Sequence, residues 1–309
     1  MRTAGRIAAA IEVLSDVEAR HRPVADALKD WGLSHRFAGS GDRAAIGNLV
    51  YDALRWRRSS AFRAGDDRAR GAVLGTLRFR WGVAADDLIR FAEEPHGWGA
   101  LSEGERTALS VDRLAEAPDG VAVDLPDWLA PAFEANFDDE WQDEAAALAA
   151  RAPLDLRVNT IKAKRGKVLK QLSRFGAEET PLSPVGVRLP ARSGWERAAN
   201  ITREDLYQRG HVELQDAASQ VAALLVFAKP GEQILDLCAG GGGKTLAMAA
   251  HMENRGQIHA TDADAGQLAP IHDRLRRAGV RNVTVHPAHE GLEALEGKMD
   301  RVLVDAPCS

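Results

Sequence analysis

Apolar and polar positions alternate with the period of a helix through the first 122 residues. In the stretch DRAAIGNLVYDALRWRR, one helical side is apolar, and Asp42 stands before it as a predicted N-cap. That side carries Ala45, Ile46, Leu49, Val50, Ala53 and Trp56. We therefore predict an all-helical domain over residues 1–122, which ends where glycine, proline and acid cluster in APDGVAVDLPDW.

The segment from 123 to 210 combines the apolar period of helices with the alternation typical of strands. A predicted helix over 128–150 is followed by a strand in LDLRVNT, a helix over 166–175 and an alternating stretch at GVRLP. This order predicts a small α+β module. Every charged residue from 158 to 174 is basic, with Arg157 just before them, so the module carries either a phosphate-binding face or a solvated helix face with lysines.

Strands and helices alternate after residue 210. The predicted strands cover 233–237, 257–261, 282–286 and 301–304, and the predicted helices cover 244–251 and 263–278. Such alternation is typical of a parallel sheet with helices on both faces. We therefore predict a doubly wound α/β domain over 211–309, with its ligand at the carboxyl ends of the strands.

The composition restricts the class of protein. Hydrophobic residues make up 45% of the 309 residues and charged residues 28%, as in soluble globular proteins. Cys238 and Cys308 are the only cysteines, which argues against a disulfide framework and favours a reducing, cytosolic compartment. No apolar run reaches membrane-spanning length, and acids interrupt the N-terminal run MRTAGRIAAAIEVLSDVEAR too early for a signal peptide. The net charge of -5 argues against a protein that coats nucleic acid non-specifically.

The glycine-rich stretch ILDLCAGGGGKT follows the first predicted strand of the α/β domain. A triphosphate-binding loop would need a glycine where Cys238 stands, and a dinucleotide loop would need one at Thr245. Both patterns therefore fail. What remains is a strand end, a close backbone approach, and a helix whose first amides can hold an anionic group such as a carboxylate.

A second polar position narrows the choice of ligand. Asp262 ends the next strand, about 20 residues after the glycines, where a carboxylate can accept hydrogen bonds from ribose hydroxyls. A ribose acceptor, a carboxylate-sized anion site and a failed triphosphate motif favour S-adenosylmethionine over ATP. Asp236 either binds the ammonium group of this ligand or orders the loop.

The last predicted strand, in MDRVLVDAPCS, brings Asp305 and Cys308 to the same edge of the sheet. An acid and a thiol beside a methyl-donor site suggest chemistry on a pyrimidine. Carbon 5 of cytosine attacks a methyl group only after a thiolate has added to carbon 6, which is covalent catalysis. A carboxyl group at the polar edge of the ring would orient and polarise it.

Four motifs together resemble the Sun-type RNA cytosine-5 methyltransferases, the family of 16S ribosomal RNA methyltransferase B. ILDLCAGGGGKT resembles the family's donor loop LDLCAAPGGKT, with Gly-Gly in place of Ala-Pro. VELQDAASQVAALL resembles its Gln-Asp-x-x-Ser segment, LDLRVNT its Arg-Val-Asn-Thr motif, and DAPCS its fourth motif. The helical segment before them resembles the NusB-like domain that assists RNA binding in some members.

The resemblance implies roles for individual residues. S-adenosylmethionine would be held by Cys238, Ala239, Gly240, Gly241, Gly242, Gly243, Lys244, Asp262 and Asp305. Asp305 would also be catalytic, between donor and cytosine, and Cys308 would be the catalytic thiol that helps release the methylated base. Contacts with RNA, in particular ribosomal RNA, are predicted at Arg157, Asn159, Lys162, Lys164 and Arg165. No metal site is predicted.

Two departures from the family pattern matter. The family's nucleophile is the cysteine of a later Thr-Cys motif, which this sequence does not contain; we therefore expect an N-terminal fragment of a longer enzyme, the alternative being Cys308 as sole nucleophile. The aspartate that usually follows the third strand is replaced by Pro287 and Ala288, which puts donor affinity in question. The alternative functions are a non-catalytic RNA-binding or assembly protein, or inactive fragment, and, less favoured, an ATPase.

Overall fold

The computed structural model describes residues 1–197, 199–288 and 290–306. The described residues divide into two compact units, 1–152 with 192–198 and 153–191 with 199–309. The divisions predicted at residues 122 and 210 do not coincide with this partition.

Helices account for all regular structure in residues 1–150, which are described throughout. The α-helices are α1 (Thr3–Arg20), α2 (Val24–Ser34), α3 (Ser40–Arg55), α4 (Arg57–Ala64), α5 (Ala69–Gly75), α6 (Ala85–Glu93), α7 (Glu103–Ser110), α8 (Asp119–Ala122), α9 (Ala130–Phe137) and α10 (Trp141–Ala149). A π-helical turn, Thr76–Arg80, continues α5. The predicted all-helical character of this region is confirmed.

The core of this unit forms where the apolar side of α3 meets α1 and α5. Ile7, Leu14, Ile46, Leu49 and Leu74 are fully buried there. Burial of such side chains is the main stabilising contribution, about 1.5–3 kcal/mol for each.

Two local predictions in this unit are wrong. Gly39, and not Asp42, is the N-cap of α3. Asp42 is the third residue of the helix, in its first turn, where it accepts a hydrogen bond of 3.2 Å from the Gly39 amide and pairs with Arg6. The helix predicted over 128–150 is interrupted after α9, where Asp138 has a positive φ of 46°. A positive φ is incompatible with a continuous right-handed helix, so the chain turns before α10 begins.

The second unit begins with an antiparallel sheet. Its elements are β1 (Leu154–Val158), α11 (Arg165–Leu172), β2 (Glu178–Glu179), β3 (Gly186–Leu189), α12 (Asp205–Gln208) and β4 (Val212–Leu214), and the strand order is β2-β3-β1-β4. α11 packs its apolar side, with Val168 and Leu172, onto Leu156 and Val187 of the sheet. The predicted α+β architecture of this segment is therefore present.

A parallel sheet follows. Its elements are α13 (Ala217–Leu225), β5 (Gln233–Asp236), α14 (Gly243–His251), β6 (Gln257–Asp262), α15 (Ala265–Leu268), α16 (Ile271–Ala278), β7 (Val283–Pro287) and β8 (Arg301–Leu303). The strand order is β7-β6-β5-β8 and all neighbouring pairs are parallel. This confirms the predicted doubly wound α/β fold. The helix predicted over 263–278 is divided in two at Pro270, whose ring cannot donate a backbone hydrogen bond.

The strand order reverses direction at β5. β5 pairs with β6 on one side and with β8 on the other. The crevice at the carboxyl ends of such strands is where doubly wound sheets bind their ligands. None of the helices in the part of the chain that the structure describes combines the length and apolar composition of a membrane span.

Candidate functional site

A cavity of about 250 Å³ opens at the point where the strand order reverses. Four segments of the second unit supply its walls: the end of β4 with the start of α13, the loop after β5 with the first turn of α14, the helix α16, and the chain beyond β8. Its lining comprises Leu214, Gln215, Asp216, Ser219, Cys238, Ala239, Gly243, Lys244, Arg274 and Asp305. Five of the predicted donor-binding residues therefore meet at one cavity.

The glycine loop reaches this cavity through two left-handed residues. Gly240 and Gly242 have φ values of 49° and 80°, a region that other residues rarely adopt. A Cβ atom on Gly242 would also come within 2.5 Å of Ile271 Cγ1. As the N-cap of α14, Gly242 has no side chain to cap the first turn, so that turn can offer its amides to an external acceptor.

Asp262 closes the loop from the neighbouring strand. Its carboxylate accepts a hydrogen bond of 2.8 Å from the Gly240 amide and one of 2.9 Å from the Asp264 amide. Each carboxylate oxygen has a further lone pair, so the group can accept from a ligand as well. The acid that the sequence placed at this strand end thus lies directly beside the glycines.

Lys244 and Asp305 face one another at the cavity. The Lys244 ammonium group donates to Asp305 Oδ2, and the Lys244 side chain is only 16% exposed while that of Asp305 is 50% exposed. The first turn of α14 and the end of β8 are thereby linked by an ion pair. Cys308 lies outside the described residues, so its catalytic role stays a prediction.

Asp236 is buried beneath the loop. Its Oδ2 atom accepts a hydrogen bond of 2.6 Å from Thr245 Oγ1, and Oδ1 has no partner among the described residues. Burial raises the pKa of Asp236 to about 6, although the hydrogen bond from Thr245 and the charge of Lys244 each lower it. The contact with Thr245 ties the end of β5 to α14, which is the loop-ordering role considered from the sequence.

Cys238 lines the cavity as a free thiol. Burial raises its pKa, and the nearby carboxylates of Asp262, Asp236 and Asp305 raise it further. A raised pKa keeps sulfur in its protonated, weakly nucleophilic form. The side chain therefore suits a packing role at the loop better than nucleophilic attack.

Several cavity residues were not assigned from the sequence. Gln215, Asp216 and Ser219 belong to the quoted Gln-Asp-x-x-Ser segment, but the motif gave no role to any one of them. Asp216 caps α13 through a hydrogen bond of 2.8 Å from the Ala218 amide. Arg274 lies on α16 among other arginines, and no sequence signal distinguishes it from them.

The structure corrects the RNA contacts predicted for Arg157 and Asn159. Their side chains are buried, with 3% and 2% of the residue exposed, so they are not available for the RNA contacts predicted for them. Arg157 Nε donates to Gln215 Oε1 at 2.6 Å, and burial lowers its pKa to about 10. Asn159 Nδ2 donates to the carbonyls of Gly210 and Ala278, each at 2.8 Å. Both residues hold the second unit together.

The other predicted RNA contacts are at the surface. Lys162 Nζ donates to the carbonyl oxygens of Arg209 and Arg277, and Arg165 pairs with Glu179. Exposed lysines continue along this side of α11, where an anionic polymer could reach them. They are Lys164, Lys167 and Lys170, and we call these three the lysine face.

Comparison with protein families finds two matches in this chain, both to domains of the same methyltransferases. Residues 223–309 match the family described as 16S rRNA methyltransferase RsmB/F, and residues 125–193 match the ferredoxin-like domain of RsmF/B-like methyltransferases. These two segments of the chain therefore resemble two domains of the RsmB/F methyltransferases. The resemblance to Sun-type RNA cytosine-5 methyltransferases is thereby confirmed.

Curated proteins with similar sequences are named as ribosomal RNA methyltransferases. The chain is 31% identical over 196 residues to a probable ribosomal RNA small subunit methyltransferase B from Synechocystis, covering 62% of this chain and 43% of the relative. It is 35% identical over 161 residues to the 28S rRNA (cytosine(4447)-C(5))-methyltransferase of Homo sapiens, covering 51% of this chain and 19% of the relative. The chain thus spans less than half the length of these relatives.

Solved structures show the same fold. A crystal structure titled PH0851 aligns with a TM-score of 0.65 at 23% identity, over 100% of this chain and 75% of the other. A methyltransferase homologue from Pyrococcus horikoshii aligns with a TM-score of 0.53 at 28% identity, over 62% of each chain. The NusB-like character of the N-terminal helices stays a prediction.

Proposed function

We propose that this chain binds S-adenosylmethionine and acts as a cytoplasmic RNA cytosine-5 methyltransferase on ribosomal RNA. One observation carries the proposal. In a segment that matches the RsmB/F methyltransferases, the glycine loop, Lys244 and Asp305 line one cavity at the reversal point of a doubly wound sheet.

The side chains and backbone at the cavity fit this donor. The first turn of α14 suits its carboxylate, because its N-cap, Gly242, has no side chain that could occupy the amides there. Asp262 suits its ribose hydroxyls, since the carboxylate lies beside the loop and retains acceptor capacity. When bound, the donor supplies an electrophilic methyl group on sulfur.

The binding set is the one predicted from the sequence. It comprises Cys238, Ala239, Gly240, Gly241, Gly242, Gly243, Lys244, Asp262 and Asp305. At the place where the family usually carries an aspartate near the adenine, this chain has Pro287 and Ala288, both exposed and neither able to accept from an adenine amino group through a side chain. We therefore propose that donor affinity depends chiefly on the loop and Asp262.

The reacting base would lie near Asp305. Its half-exposed carboxylate is held by Lys244 at the cavity, where it can orient the polar edge of a cytosine and polarise the ring. Carbon 5 becomes nucleophilic when a thiolate adds to carbon 6; after methyl transfer, loss of the carbon 5 proton expels the thiolate and restores the ring. In the proposed enzyme, Cys308 takes part in that release.

RNA would be positioned by the module that precedes the α/β domain. Lys164, Lys167 and Lys170 are exposed on one side of α11, and ammonium groups in such a row suit successive phosphates. The relatives' names specify small-subunit RNA in one case and 28S RNA in the other. We propose ribosomal RNA as the substrate class on that basis.

Isothermal titration of the full chain with S-adenosylmethionine and, separately, with ATP tests the proposal. We expect saturable binding of S-adenosylmethionine and no binding of ATP. Tight ATP binding without a response to the methyl donor would overturn it.

A second function, RNA binding without catalysis, is favoured by Ala288 at the aspartate position. This function would be the better conclusion if RNA binds while neither donor binding nor carbon-5 methylcytosine is detected.

A further inference from the structure

Arg274 connects the glycine loop to the antiparallel sheet. Its Nη1 atom donates to the Gly241 carbonyl oxygen at 2.6 Å, and its Nη2 atom donates to Glu213 Oε2 at 3.2 Å. We propose that Glu213 and Arg274 are positioning residues that hold the donor loop in its binding conformation. This inference rests on the proposed function, since it concerns the same donor site.

Glu213 is an anchor because it is buried and doubly paired. It lies in β4, opposite Arg157 of β1, and its side chain is 2% exposed. Its other oxygen, Oε1, accepts from Arg277 Nη2 at 2.6 Å. A buried carboxylate that binds two guanidinium groups has little freedom to move, since the loss of either partner leaves a desolvated charge.

The loop needs external support because of its composition. Four consecutive glycines, from Gly240 to Gly243, form the turn, and glycine loses more conformational entropy on ordering than any other residue. Two residues one turn apart on α16 contact this segment. Ile271 packs at Gly242, and Arg274 packs at Gly241, where an added Cβ would lie 2.9 Å from Nη1.

The far end of α16 is fixed as well. Asn159 donates to the Ala278 carbonyl at 2.8 Å, and Lys162 donates to the Arg277 carbonyl at 2.6 Å. Both donors follow β1, so the antiparallel module holds the carboxyl end of α16 while Arg274 and Ile271 contact the loop near its amino end. The helix therefore connects the antiparallel module to the donor loop and fixes the loop's position.

Ordering the loop before the donor arrives should increase affinity. A preorganised site avoids the entropic cost of fixing the four glycines at the moment of binding. The role of Glu213 is indirect, since it reaches the cavity only through Arg274. This separates a positioning role from direct contact with the donor.

Three single variants of the full chain test the inference. We expect Arg274→Met and Glu213→Gln each to weaken S-adenosylmethionine binding by about tenfold, the effect of losing one hydrogen bond to a charged group. Arg277→Met is the matched control: it removes an equal partner from Glu213 but leaves the bond to Gly241, so donor affinity should stay within about twofold. Thermal unfolding of each variant monitors stability.

Hydrogen exchange at the amides of residues 240–243 gives a second readout that needs no ligand. Exchange there should accelerate in Arg274→Met and Glu213→Gln and stay unchanged in Arg277→Met. If Arg274→Met does not fold, Arg274→Lys replaces it, because lysine lacks the planar fork whose two separate nitrogens bind Gly241 and Glu213.

The outcomes separate this inference from the proposed function. Lost affinity in Arg274→Met with normal affinity in Glu213→Gln would mean direct ligand contact and would overturn the positioning role. Equal losses in all three variants would also overturn it, in favour of a general effect on stability. If the unchanged protein binds no donor, the proposed function fails, and the exchange rates alone decide the inference.

Discussion

The carboxylate of Asp262, at the end of β6, accepts a hydrogen bond of 2.8 Å from the amide of Gly240, in the loop after β5. The ends of two adjacent parallel strands are therefore joined at the glycine loop. An acid that can bind the ribose of a donor is also a structural partner of the loop that would hold its carboxylate. Loss of this acid should affect both functions together.

Asp262→Ala should lower the affinity for S-adenosylmethionine by about 10- to 100-fold, because it removes an acceptor for the ribose and releases the Gly240 amide. Isothermal titration measures this change. The matched control is Asp264→Ala, two residues away, whose carboxylate accepts from the amides of Gly266 and Gln267 at the start of α15. That control should lose about 1 kcal/mol of stability as a lost N-cap and keep its donor affinity. Equal affinities in both variants would contradict the role of Asp262.

Asp236→Asn should stabilise the protein in a pH-dependent way. The folded-state pKa of Asp236 is about 6, raised by burial from 3.8, so between these values the folded protein binds more protons than the unfolded chain. Stability is therefore lost as the pH rises from about 4 to 6, by up to about 3 kcal/mol. The variant lacks this titration.

Urea unfolding of both proteins at pH 4 and pH 8 measures the effect. The free energy of unfolding of Asp236→Asn minus that of the unchanged protein should be larger at pH 8 than at pH 4, by up to about 3 kcal/mol. Any pH-independent cost of burying the new amide cancels in this comparison. A relative stability that does not change with pH would show that Asp236 has an ordinary pKa.

Gly242→Ala should destabilise the protein by about 2–4 kcal/mol, because it combines a left-handed residue with an overpacked site. Its φ is 80°, and the new Cβ would lie 2.5 Å from Ile271 Cγ1. The control is Gly104→Ala in α7, where a Cβ meets nothing within 4 Å and a gain of about 0.5 kcal/mol is expected. Denaturant unfolding compares the two; an unaffected Gly242→Ala protein would mean that the loop is not held in this conformation.

Replacing the lysine face should weaken RNA binding and reduce its dependence on salt. With Lys164, Lys167 and Lys170 all changed to Gln, the slope of log affinity against log salt concentration should fall by about 2, since each phosphate contact on a single strand contributes about 0.7. Fluorescence anisotropy with a single-stranded, cytosine-containing oligoribonucleotide measures this slope at several salt concentrations.

The control for this experiment is the double variant Lys229→Gln with Lys298→Gln. Both lysines are exposed in the same unit but lie outside the lysine face. An unchanged slope in the triple variant, or an equal fall per residue in the control, would refute a specific phosphate-binding face.

The fold class follows from patterns that are local in the sequence. Apolar runs such as that of β5, and the helical period of α3, reflect which side of each element is buried, and burial is the dominant stabilising term. The glycine loop could also be predicted from the sequence, because only glycine adopts the φ of Gly242 without strain. The position of Asp262 at the next strand end was equally local.

The burial of individual polar residues could not be read in this way. Arg157 stands in a basic stretch that predicted RNA contact, yet the sheet directs it inward to Gln215, which lies far away in the sequence. Arg274 resembles the other arginines of α16 until the fold brings Gly241 and Glu213 to it. The sequence alone therefore determined the fold class and the glycine loop, and it predicted the chemistry of the ligand. Tertiary structure decided which charges face solvent and which brace the site, because the energy of a charge depends on partners that only the folded chain brings together.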